Sequence, residues 1–179
     1  MPAFALFGSS YISRLERFCN GDLQVPMSCH FFGAGGMKVT SISVPKYTQL
    51  LQLNPDYVFI QLGGNDISST TTPREIFEKI IGCVDHLYLN GVKRVYVGEI
   101  LRRGAFRDSH LTTAQFNRIR RTINKLLKKK LGSDFIMFPD IHFPMDYRPD
   151  QVHLSCGNSR KSGMVKYFHR LRKIIVSTQ

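Results

Sequence analysis

Residues 56–66 read Asp-Tyr-Val-Phe-Ile-Gln-Leu-Gly-Gly-Asn-Asp, and the fold class turns on this stretch. Asp56–Leu62 has the length and the aromatic and β-branched content of a buried strand. It stops at Gly63, Gly64, Asn65 and Asp66, a cluster of turn formers. A helix with clear punctuation follows. Thr72 is placed to cap it, Pro73 opens it and Glu75 stands at the third position, while Ile76, Ile80, Val84 and Leu87 share one face and Gly91 lies beyond the end.

Outward from this strand and helix the same alternation continues. Upstream, Ala3–Phe7 reads as a first strand ending at Gly8-Ser9-Ser10, and a short helix carries Ile12, Leu15 and Phe18. Met27–Phe32 reads as a second strand running into Gly33-Ala34-Gly35-Gly36, and Val44–Leu53 as a helix stopped by Asn54-Pro55. Downstream come a strand at Val92–Val97, a basic loop at Leu101–His110 and a long helix from Thr113 to Leu131 ended by Gly132. A strand at Phe135–Phe138, an irregular stretch from Pro139 to Gly157 and a last helix from Ser159 to Val176 complete the chain. Short apolar runs alternating with helical periods predict an α/β fold with a five-stranded parallel sheet, and residues 1–179 are expected to form one domain.

Composition narrows the classes. A chain of 179 residues that is 42% hydrophobic buries a core without disulfide staples, which excludes a disordered or fibrous protein. No apolar run approaches the roughly 18 residues of a membrane-crossing helix. Cys19, Cys29, Cys83 and Cys156 form no CxxC pair and are expected as free thiols. The six histidines show no metal-ligand spacing, so no metal or other cofactor is expected. The first eight residues lack a basic segment ahead of their apolar stretch, so an intracellular protein, cytoplasmic or nuclear, is expected. Lys and Arg outnumber Asp and Glu by 25 to 13, a net +12 that favours anionic partners.

In a parallel α/β sheet the functional groups gather at the carboxyl ends of the strands. The first three strands bring Gly8-Ser9-Ser10, Gly35-Gly36 and Gly64-Asn65-Asp66 to one edge, and the loop after the fifth adds Asp150-Gln151-Val152-His153. A serine hydroxyl needs a base to take its proton, and His153 is the candidate. The imidazole needs an orienting carboxylate, and Asp150 is three residues away. Donors for a developing oxyanion are available in the Ser10 amide, the Gly36 amide and the Asn65 carboxamide.

These four blocks, in this order, resemble the SGNH hydrolases, the GDSL-like esterases. The likeness extends to members similar to platelet-activating-factor acetylhydrolase and to mobile-element-encoded members. The resemblance spans essentially the whole chain. It implies a flavodoxin-like three-layer α/β/α sandwich, needs no metal, and casts Ser10 as nucleophile, Asp150 and His153 as acid and base, and Ser10, Gly36 and Asn65 as the oxyanion hole. It further implies a serine esterase acting on short, acetyl-type esters. The first block departs from the family pattern, because Ser9 stands where an aspartate is usual. Ser9 thus competes with Ser10 on register, although the glycine spacing favours Ser10, and Gly33 and Gly35 compete with Gly36.

The excess charge is patterned. In the helix of residues 113–131, Arg118, Arg121, Lys125, Lys128 and Lys129 lie opposite Phe116, Ile119, Ile123, Leu126 and Leu127. In the last helix, Lys166, Arg170 and Lys173 lie opposite Met164, Phe168, Leu171 and Ile175. A flavodoxin-like wrap puts these helices on opposite faces of the sheet. Arg102, Arg103 and Arg107 are expected at the rim of the site, where they would attract anionic substrate groups. The alternative function is a catalytically silent module of the same fold that binds nucleic acid or acidic lipid through its basic helices.

Overall fold

The computed structural model describes residues 1–157, 159 and 161–178. At the middle of its sheet lies β3 (Tyr57–Gln61), flanked by β1 (Ala3–Gly8) and β4 (Arg94–Gly98). Beyond these lie β2 (Ser28–Gly33) and β5 (Phe135–Ile136), giving the order β2-β1-β3-β4-β5 with every pairing parallel. This is the flavodoxin-like order, with the chain reversing its winding between β1 and β3. The connecting helices are α1 (Ser10–Phe18), α2 (Val44–Leu53), α3 (Pro73–Leu89), α4 (Thr113–Leu131) and α5 (Gly163–Ser177).

Strand periodicity sorts the core into two layers. Ala5, Phe7, Val58 and Ile60 point to one face, where they pack with Leu50 of α2, Ile76, Ile80 and Leu87 of α3, and Phe116, Ile123 and Leu127 of α4. Phe4, Leu6 and Phe59 point to the other, against Ile12 and Leu15 of α1 and Met164, Phe168, Leu171 and Ile175 of α5. Burial of each large side chain among these contributes about 1.5–3 kcal/mol, which holds both helical layers on the sheet. The two basic helices α4 and α5 therefore lie on opposite faces, as the wrap requires.

Helix α3 starts as its sequence signals. The Thr72 hydroxyl accepts from the Glu75 amide and the Glu75 carboxylate accepts from the Thr72 amide. The same reciprocal cap, from Thr112 and Gln115, opens α4. Several ends differ from the sequence expectations. The fifth strand keeps only Phe135 and Ile136, because the Phe138 amide turns to the Glu99 carboxylate at 2.6 Å. The fourth starts at Arg94, since the Val92 and Lys93 amides bond to Leu87 and Asp56 carbonyls. The last helix starts at Gly163, capped by the Ser162 hydroxyl, while Ser159 belongs to the turn before it.

The α5 stripe is less free than expected. Lys166 forms an ion pair at 2.8 Å with Asp146, whose side chain is 4% exposed, and the Arg170 Nε donates to the Met137 carbonyl at 2.9 Å. On α4, by contrast, Arg118, Arg121, Lys125, Lys128 and Lys129 are exposed and join no ion pair among the described residues. All four cysteines are free thiols, and burial raises Cys83 to about 11, which keeps it protonated and unreactive at neutral pH. Among the described residues no helix is long and apolar enough to cross a membrane.

Candidate active site

The carboxyl end of β1 runs straight into α1 through Ser9. Any side-chain carbon at Gly8 would collide with the Gln61 carbonyl of β3, so the turn closes only with glycine there. The Ser9 amide donates to that same carbonyl at 3.2 Å, and the Ser9 carbonyl accepts from Ile12 and Ser13 to begin the helix. Ser10 is thus the first residue of α1. Its amide belongs to the helix's first turn, which has no intrahelical acceptors, and no acidic residue occupies that turn to oppose the helix dipole.

Ser10 and Ser9 face different surroundings. The Ser10 Oγ lies 3.2 Å from His153 Nε2, across 143 residues of sequence, and Ser10 is half-buried. Ser9 is buried and makes no side-chain capping bond. His153 Nδ1 lies 2.8 Å from Asp150 Oδ2. With the Nδ1 proton donated to Asp150, Nε2 accepts from the Ser10 hydroxyl, the tautomer a general base requires. Partial burial opposes ionisation of Asp150, but bonds from the His153 amide, the His153 ring and the Val152 amide outweigh it. They hold its carboxyl well below the usual carboxylate range.

The remaining pieces converge from two more strands. The loop after β2 carries Gly36 in the left-handed region at φ +74°, exposed, whereas Gly33 closes the strand itself. Asp66 staples this loop, accepting from the Val39 amide at 3.0 Å, the Thr40 amide at 3.0 Å and the Thr40 hydroxyl at 2.7 Å. Asn65 Nδ2 donates to the Met37 carbonyl at 3.0 Å, so the carboxamide sits beside the residue that follows Gly36.

The three arginines separate. Arg102 and Arg107 are exposed, with the Arg102 guanidinium 5.9 Å from the Phe143 ring centre. Arg103 is no rim residue. It is buried, and its Nη1 donates to Asn65 Oδ1 at 2.8 Å. Along this loop Leu101 and Arg103 are buried while Arg102 between them is exposed.

The loop bearing Asp150 and His153 lies outside helix and strand apart from an antiparallel bridge between Tyr147 and Leu154, and side chains that sequence reasoning passed over help to fix it. The Tyr11 hydroxyl donates to the Val152 carbonyl at 2.8 Å. Asp146 accepts from the His142 amide at 2.6 Å as well as from Lys166, and the Arg148 amide donates to the His153 carbonyl at 2.8 Å. A tyrosine one residue after the serine pair was the one local hint of such a tie. Asp146 carried none, its partner lying 20 residues on.

No family model matches the chain, and no curated protein matches it in sequence. Solved structures do match in fold. A GDSL-like lipase from Bacteroides thetaiotaomicron VPI-5482 superposes with a TM-score of 0.70 at 14% identity, over 99% of this chain and 89% of that one. A lipase/acylhydrolase from Enterococcus faecalis gives 0.69 at 14% identity, over 99% and 97%. An acetyl xylan esterase gives 0.65 at 17% identity, over 97% and 99%. These likenesses establish a shared fold along nearly the full length of each chain.

Proposed function

We propose that this chain is a serine ester hydrolase of the SGNH type, acting on short acyl esters such as acetates. The observation that carries the reading is the relay from Ser10 Oγ to His153 Nε2, and from Nδ1 to Asp150, at 3.2 and 2.8 Å. A shared fold with lipases and an acetyl xylan esterase supports it. Ser10 Oγ attacks the ester carbonyl carbon while its proton passes to His153 Nε2. The oxyanion is met by the Ser10 amide, the Gly36 amide and the Asn65 NH2. Collapse of the tetrahedral intermediate breaks the ester bond, and the alcohol leaves with the proton from Nε2. A water then attacks the acyl-serine, His153 takes its proton, and the acid leaves as Ser10 Oγ recovers it. Asp150 stays ionised and stabilises the imidazolium formed in each half-reaction.

The test is reaction with a fluorophosphonate followed by peptide mapping, alongside hydrolysis of a chromogenic acetate. Label on Ser10, and turnover lost in Ser10→Ala by about 10⁴-fold or more but kept in Ser9→Ala, is the expected result. Label on Ser9 moves the nucleophile by one residue, and the absence of both label and turnover sinks the reading. The cations of α4 that join no ion pair among the described residues, with Arg102 and Arg107, favour an additional affinity for polyanions such as nucleic acid or acidic lipid. Retention on an anionic matrix that salt releases, and that reversal of Lys125, Lys128 and Lys129 abolishes, tests it.

A further inference from the structure

We propose that Arg103 is a positioning residue of the oxyanion hole, holding the Asn65 carboxamide so that one N–H is left for the substrate oxygen. The proposal rests on the ester-hydrolase reading above. A carboxamide has two nearly isosteric orientations, and only its partners decide between them. Here Arg103 Nη1 donates to Oδ1 at 2.8 Å and Nδ2 donates to the Met37 carbonyl at 3.0 Å. Turning the amide over would set NH2 against a guanidinium donor and Oδ1 against a carbonyl oxygen. Both contacts would become repulsive. The observed orientation uses one of the two Nδ2 hydrogens and frees the other.

The guanidinium also supplies charge. Arg103 is 9% exposed and forms no ion pair with a carboxylate among the described residues. It lines a tight space of about 10 Å³ with Ser9, Tyr11, Gln61 and Gly64, none of which carries a formal charge at neutral pH. A buried cation without an ion-pair partner is costly in the resting protein. One hydrogen bond away, through Asn65, the reaction creates a transient anion. The arginine polarises the carboxamide toward that anion, and its own cost falls as the anion forms.

Gly64 gives independent support. A side-chain carbon there would stand 2.8 Å from Arg103 Nη2 and 3.1 Å from its central carbon. The second glycine of the Gly63-Gly64-Asn65-Asp66 turn is therefore the floor on which the guanidinium lies. Gly64 has no positive φ to explain it otherwise.

The experiment measures kcat, KM and melting temperature with a chromogenic acetate for Arg103→Met, Arg103→Lys, Gly64→Ala, Asn65→Ala and the Arg103→Met/Asn65→Ala double variant. The side-chain amide resonance of Asn65 is followed in the resting protein. Arg103→Met is expected to lower kcat by about 10–100-fold with KM changed by less than about threefold. Gly64→Ala reproduces that pattern, Arg103→Lys recovers part of it, and both Arg103→Met and Gly64→Ala move the Asn65 resonance. In the Asn65→Ala background, Arg103→Met costs less than about twofold more. The proposal is overturned if the Asn65 resonance stays in place, if kcat survives Arg103→Met, or if the two losses simply multiply. Should Arg103→Met fail to fold, Arg103→Lys and Gly64→Ala decide by the same readouts. A wild-type protein that neither hydrolyses acetates nor takes the fluorophosphonate removes the ester-hydrolase reading and this proposal together. An active wild type indifferent to Arg103 removes this proposal alone.

Discussion

The serine end and the histidine end of the candidate site are built by different means. Ser10 is set by backbone: a strand stops at Gly8, presses on the next strand at Gln61 and enters a helix within two residues. His153 stands on a stretch from Pro139 to Gly157 without helix or strand, held by the Arg148 amide and tied down mainly by the side chains of Tyr11, Asp146 and Lys166. A site divided this way resists disturbance unequally. The serine end fails when atoms are added, and the histidine end fails when bonds are taken away.

The largest effect that would sharpen this contrast is expected at Asp150. Asp150→Asn leaves an acceptor beside the imidazole but removes the charge that favours the productive tautomer, and kcat falls about 10⁴-fold. The same variant has a pH signature in stability. The depressed carboxyl of Asp150 stabilises the fold above its unfolded value near 4, and that contribution is lost as pH falls through its lower folded value. The stability difference between wild type and Asp150→Asn, from denaturant melts, therefore narrows steadily below about pH 4. A difference that widens in acid would contradict the assigned bonds.

Next is Lys166→Met, which leaves the Asp146 carboxylate buried without its cation. It is expected to destabilise by about 2–3 kcal/mol, with amide exchange rising first in residues 146–155. If exchange rises instead around Ser10, the two ends are more tightly coupled than their bonds suggest. Gly8→Ala acts at the opposite end by overpacking β1 against Gln61, with a loss of about 1–3 kcal/mol and slower acylation of Ser10. The smallest effect is expected of Tyr11→Phe, which removes one hydrogen bond to the Val152 carbonyl at a cost of about 1 kcal/mol. Its kcat should fall more than its melting temperature implies, since the bond steadies the residue next to His153.

This division also explains what could be read in advance. The alternation of Ala3–Phe7, Asp56–Leu62 and Val92–Val97 with amphipathic helices reports burial on two faces, and burial is a local property of sequence. The five strands and the strand-end positions of Ser10, Asn65 and Gly36 follow from it, whereas the order of the strands was implied only by the family resemblance. Asp150 and His153 were legible because their spacing is short. Asp146, Lys166 and Arg103 were not, because each takes its role from a partner 20 to 38 residues away. Arg103 stood beside two other arginines in a loop of like composition, and only its burial in the folded chain distinguishes it.

The row of cations along α4 has a consequence for the solvent in which the protein is most stable. Arg118, Arg121, Lys125 and Lys128 or Lys129 succeed one another at three- or four-residue intervals, each within reach of a neighbour of the same sign. Electrolyte shortens the reach of that repulsion to about 10 Å at 0.1 M. Dilute buffer is thus the harsher environment, and added salt should tighten this helix rather than loosen it.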